Sequence, residues 1–159
     1  MKTLITLSLA VLFCSSAFSQ KNDSENAVPV PDAVYILDSV VVFPSPRVFP
    51  FDDSDSYLQI SGNYAVMSYL FRGKQVFYSG TVHNSRIIDV NGVSVIAFTV
   101  RTDNRFSRSV AGKRIFIGVS ADNAVPVVYE LTAKGGLSTS FTTHIATAEE
   151  LTSLRARSE

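Results

Sequence analysis

From Ala33 onward, apolar and polar residues trade places with a period of two, in short runs separated by Gly, Asn, Asp and Pro. A pleated strand sends successive side chains to opposite faces, so this texture restricts the chain to β architectures more tightly than its composition does. Val, Ile, Phe, Tyr and Thr dominate the runs, and these residues fit a half-buried pleated surface. The pattern predicts strands over 33–43, 64–71, 74–82, 86–90, 93–101, 114–120, 125–131 and 137–145.

The punctuation predicts how these strands connect. Arg72-Gly73 leaves room only for a tight hairpin turn between 64–71 and 74–82. Asn91-Gly92 is a stronger signal, because a type I′ turn needs positive φ at both central residues. Pairing Val90 with Val93 then sets Ile88 opposite Val95 and Ile87 opposite Ile96. Both faces of that ribbon are partly apolar, as in a buried hairpin. Ile115, Ile117 and Val119 share one face, and so do Val125, Val127, Tyr129 and Leu131. Pro126 cannot donate to a ladder, so its strand starts there or lies at an edge. In 137–145, Leu137, Thr139, Phe141, Thr143 and Ile145 oppose a polar face that ends in His144. Asp38-Ser39 interrupts an otherwise apolar strand and reads as a bulge or break. Pro44, Pro46 and Pro50 break up the chain before an acidic loop over 51–57. Thr147 with Glu150 three residues later matches a capping box, which opens a short C-terminal helix with Leu151 and Leu154 on its apolar stripe. The expected fold is all-β: an antiparallel sandwich or small barrel of about eight strands, closed by that helix.

Residues 1–19 carry Lys2, an apolar run over 4–13 and the small-residue triplet Ala17-Phe18-Ser19, the layout of a signal peptide cleaved before Gln20. The expected organisation is a signal peptide over 1–19, a flexible leader over 20–32 and a single β-rich domain over 33–159, in a secreted or periplasmic protein. Cys14 is the only cysteine and lies in the signal segment, so no disulfide, thiol nucleophile or Cys-ligated metal is expected in the domain. Phe13 stands where a lipidated cysteine wants a small residue, which argues against a lipid anchor. With 14 basic and 14 acidic residues the chain has no general pull toward nucleic acid or anionic membrane. No second apolar stretch approaches the ~20 residues of a transmembrane helix.

Few residues offer chemistry. His83 and His144 are the only histidines, too few and too far apart in sequence for a tetrahedral zinc site. A small secreted hydrolase using either one remains an alternative, although no G-x-S-x-G sequence supports it. Asp52-Asp53-Ser54-Asp55 lacks the spacing, Gly and distal Glu of a calcium loop and reads as a solvated acidic turn. Phosphate-loop, dinucleotide and metalloprotease signatures are absent, so no cofactor or metal is expected. The suggestive stretch is 101–114, where Arg101, Arg105, Arg108, Lys113 and Arg114 surround Phe106 between two strong strands. Arginine forks suit carboxylate, phosphate or sulfate, and an aromatic ring among them can stack on a sugar. The expected function is non-catalytic binding of a protein, an anionic small ligand or a glycan through Arg101, Arg105, Phe106, Arg108 and Arg114. An eight-stranded outer-membrane barrel is a further alternative, opposed by the charged helix after Ile145, since such barrels end on a membrane strand.

Overall fold

In the computed structural model the described residues are 27–44, 46–51, 55–103, 113–122 and 125–156. They form nine strands and one helix. The strands are β1 (Ala33–Val42), β2 (Arg47–Pro50), β3 (Tyr57–Ser61), β4 (Tyr64–Phe71), β5 (Lys74–Val90), β6 (Val93–Thr102), β7 (Arg114–Ser120), β8 (Val127–Leu131) and β9 (Leu137–Ile145), followed by α1 (Ala148–Ala156). Each neighbouring pair is antiparallel. The order runs β2-β1-β3-β4-β5-β6-β7-β8-β9, and β1 also pairs with β9 from Tyr35–Ile145 to Val42–Thr139. Eight strands therefore close into a barrel, and β2 is the extra one. This decides between the sandwich and barrel readings of the sequence.

Three strands depart from the sequence reading. Residues 74–82 and 86–90 are one strand, β5, bent where the register against β6 slips between His83 and Arg86. Asn84 there has φ of 54°, a left-handed conformation that asparagine tolerates. Conversely, the proline-rich stretch after β1 contains β2, and β3 follows the acidic loop. Both lie along the same edge of β1, with β2 on Ser39–Val42 and β3 on Ala33–Ile36. Phe51 N donates to Asp38 O at 2.9 Å and Leu37 N to Ser56 O at 2.8 Å, so both ends of the excursion over 51–56 are tied to β1.

The barrel interior is filled by Tyr35, Leu37, Val40, Leu58, Ile60, Met67, Phe98, Val100, Ile117, Val119, Val128 and Phe141. Leu37 and Val40 both point inward because a bulge leaves Asp38 without a partner between the pairs Leu37–Thr143 and Ser39–Thr142. The Asn91-Gly92 hairpin has the expected register, with Ile88 opposite Val95 and Ile87 opposite Ile96. β8 begins immediately after Pro126, as its missing donor requires.

The clean alternation in β8 faces away from the interior. Tyr129 and Leu131 join Val90, Val95 and Ala97 in a second apolar cluster, with Val127 packed against it. Val95 and Ala97 alternate along β6 with the interior Ile96 and Phe98, so this cluster lies on the outer wall. Gly118 makes room for it: a Cβ there would meet Val95 Cγ2 at 3.3 Å and Leu131 Cδ1 at 3.5 Å. The inward residues of β8 are instead Val128 and Glu130.

Candidate functional site

Antiparallel succession fixes which turns share an end of the barrel. The β1–β2 connection, the Arg72-Gly73 turn, the β6–β7 connection and the β8–β9 turn all open at one end, here called the upper end. It carries Arg47, Arg72, Lys74, Arg101, Lys113, Arg114 and Lys134, and none of these makes an ion pair with a described residue. Asp103, just after β6, is an acid at the same end, its carboxylate accepting from Tyr64 Oη and Ser79 Oγ. The lower end holds Asp32, Asp89 and Asp122 together with Arg86. A chain with balanced total charge is thus polarised along the barrel axis.

The sequence pointed to the β6–β7 connection. Arg101 and Arg114, at its two ends, sit directly opposite each other in the β6–β7 register, both exposed. Like charges placed so repel, a cost that a bound anion would remove. Arg105, Phe106 and Arg108 lie outside the described residues, as do Asp52, Asp53 and Ser54. The structure adds Arg47, Arg72, Lys74 and Lys134, which are scattered along the sequence and share an end of the barrel only through strand order.

Arg72 is the most constrained of these cations. It occupies the first central position of a tight turn with φ of 51°, followed by Gly73 at 72°. Its guanidinium carbon lies 5.2 Å from the ring centres of both Phe49 and Phe71, within cation–π range. Those two rings meet edge to face at 5.4 Å. Beneath them, Phe51, Tyr69 and Phe141 continue the aromatic packing into the barrel. Val42, Phe43, Pro44, Arg47, Phe49 and Arg72 line a depression of about 210 Å³ at this mouth.

Below the aromatic layer is a carboxylate that the sequence reading passed over. Glu130 accepts hydrogen bonds from Tyr78 Oη at 2.6 Å and Tyr69 Oη at 3.1 Å. Burial, followed by the charge of Glu130, raises the pKa of both phenols, so they remain protonated donors. Two phenol donors offset part of what an inward carboxylate loses in leaving water. Even charges in a Val-Val-Tyr-Glu-Leu strand look like solvent-facing positions. Parity against Val128 was the only sequence signal for Glu130.

The histidines are apart. His83 is exposed and has no partner among the described residues. His144 lies on the outer wall, with Nδ1 3.1 Å from Asp38 and Nε2 3.0 Å from Glu150 of α1. Hydrogen bonds to Glu150 and then Asp38 raise its pKa, outweighing partial burial. With both ring nitrogens on carboxylates, neither is left to take a proton from a hydroxyl. Among the described residues no group of three or more potential ligands could hold a metal. No helix there is long and apolar enough to cross a membrane.

A larger groove of about 410 Å³ runs between α1 and the wall of β1, β3 and β4. Leu151 and Leu154 face it only half-buried. No protein-family model matches this sequence, and no curated protein matches it.

Proposed function

We propose that this protein is a non-catalytic binding module, secreted or periplasmic, that engages an anionic partner or ligand through the upper end of its barrel. The observation that carries this reading is the excess of bases at one end of the barrel, with Arg47, Arg72, Lys74, Arg101, Lys113, Arg114 and Lys134 on four separate connections against Asp103, and without ion pairs to described residues. Such a surface focuses a positive potential and speeds encounter with anions. The apolar interior and mixed outer wall, which includes Gln59, Ser68, Ser79, Thr99 and His144, favour a barrel in water. Membrane barrels have the opposite distribution. Catalysis is disfavoured by the engagement of His144 on both nitrogens and the isolation of His83.

The test is a titration with a sulfated hexasaccharide and its unsulfated counterpart, followed by backbone amide shifts. Shifts should concentrate at the upper-end basic residues, spare Asp32, Asp89 and Asp122, and weaken as salt rises. Equal response to the neutral sugar, or shifts at the lower end, would overturn the reading.

A further inference from the structure

Arg72 stands where the backbone disfavours it. The sister turn of β5 and β6 uses Asn91-Gly92, with φ of 54° and 83°, whereas the turn of β4 and β5 places arginine at the equivalent position with φ of 51°. A side chain with a Cβ is strained in that left-handed conformation, and asparagine or glycine is the usual solution. Residues kept in such conformations cluster at ligand clamps, so the outlier is a reason to ask what the side chain does.

The guanidinium is held rather than free. Phe49 and Phe71 each present a ring 5.2 Å from it, which restricts the directions its donors can take. Arg47 stands two residues before Phe49 on β2, and Phe49 packs against the interior, so both lie on the same face of that short strand, toward the barrel mouth. The two arginines border one depression, whose remaining lining is Val42, Phe43, Pro44 and Phe49. At about 210 Å³ it falls below the roughly 300–1,000 Å³ of pockets that enclose a whole small molecule. It suits one end of a ligand. Two guanidinium forks match an oxyanion, and the apolar lining matches whatever carries that oxyanion.

We infer that the Arg47–Arg72 depression binds a carboxylate or phosphate borne on an apolar stem, with the oxyanion between the two guanidinium groups and the stem against Phe43 and Phe49. The inference rests on the reading of the upper end as an anion-binding surface and narrows it to one place and one ligand chemistry. Arg47 and Arg72 border a recess whose other lining residues are apolar. Arg101 and Arg114 sit on exposed strand ends and would take an anion without regard to its stem.

The experiment titrates the protein with phenyl phosphate, phenylacetate, inorganic phosphate and benzyl alcohol, reading amide and arginine Nε shifts. At least one of the two stemmed anions should shift Arg47, Phe49 and Arg72 and bind ten times more tightly than inorganic phosphate or benzyl alcohol. The tighter of the two identifies the oxyanion. Arg72→Gly, which relieves the turn, should fold normally and lose that preference, and Arg47→Ala should weaken it at least threefold. Equal affinity for inorganic phosphate, or shifts confined to Arg101, Arg114 and Lys134, would overturn this inference and leave the upper-end reading standing. Absence of any shift at the upper end with every anion, the sulfated hexasaccharide included, would overturn both.

Discussion

Arg72 and Gly80 show how single positions store or avoid cost in this barrel. Truncating Arg72 to alanine removes the two ring contacts but keeps a Cβ at φ of 51°, whereas glycine removes both the contacts and the strain. The difference between the two variants isolates the backbone term, and Arg72→Gly should be more stable than Arg72→Ala by about 1 kcal/mol in urea denaturation. Equal midpoints would mean that the turn relaxes around any side chain. Gly80 answers a different demand. A Cβ there would lie 2.1 Å from the carbonyl oxygen of Arg101, so β5 and β6 approach too closely for any other residue. Gly80→Ala should cost about 3 kcal/mol, near the upper end of overpacking effects, because backbone rather than a mobile side chain is in the way. Gly118→Ala meets only side chains of Val95 and Leu131 and should cost less. The turns at Arg72-Gly73 and Asn91-Gly92 were legible from the residues themselves. The demand on Gly80 was not, since it arises from a strand far along the chain.

Elements were readable wherever a local rule specifies them. The capping box forms as its sequence implies: Thr147 N donates to Glu150 Oε2 at 2.8 Å, and Glu150 N donates to Thr147 Oγ1 at 3.3 Å. Thr147→Ala should lower stability by about 1 kcal/mol, and hydrogen exchange across Ala148–Ala156 should accelerate with it. Unchanged exchange in that helix would show that packing on the barrel, rather than the cap, holds it. Such an outcome would be surprising, because none of its residues is buried. Bulges explain where the strand reading blurred. At Asp38 the extra residue switches which parity faces inward, so the interior apolar residues of β1 change parity between Leu37 and Val40, and Ile36 is buried on the outer face as well. The slip between His83 and Arg86 does the same for β5, which is why one bent strand reads as two. A slip between Glu130 and Leu131 moves Leu137 onto the outer cluster while Thr139 and Phe141 remain inside. β2 escaped notice because its four residues, bounded by prolines, are too few to display a period.

At the scale of the whole molecule, closure was the illegible step. The seam of β1 on β9 joins the two ends of the domain, and no local signal marks it. That seam also creates the group through which pH should act. His144, on β9, faces Asp38 from β1 on one side and Glu150 from α1 on the other, so it ties both neighbouring elements to its own strand. Its folded pKa is raised above the ordinary 6.5, so its contribution is complete below that value and is lost as pH climbs through the folded pKa. Glu150 behaves in the opposite sense. Hydrogen bonds from Thr147 and then His144 lower its pKa from 4.5 to about 2, so its contribution is present above 4.5 and disappears as pH falls toward 2. The two conditions overlap between roughly pH 4.5 and 6.5, where an imidazolium lies between two carboxylates. Both groups are partly exposed, so solvent screening keeps the effect small. Thermal midpoints of the native protein and of His144→Gln should therefore differ most within that window and converge above it, with a second narrowing below pH 4.5. The converging limb should flatten in high salt, since it is electrostatic in origin. A difference independent of pH would mean that the imidazole acts by shape and neutral hydrogen bonding, and that its charge contributes nothing to holding the helix on the seam.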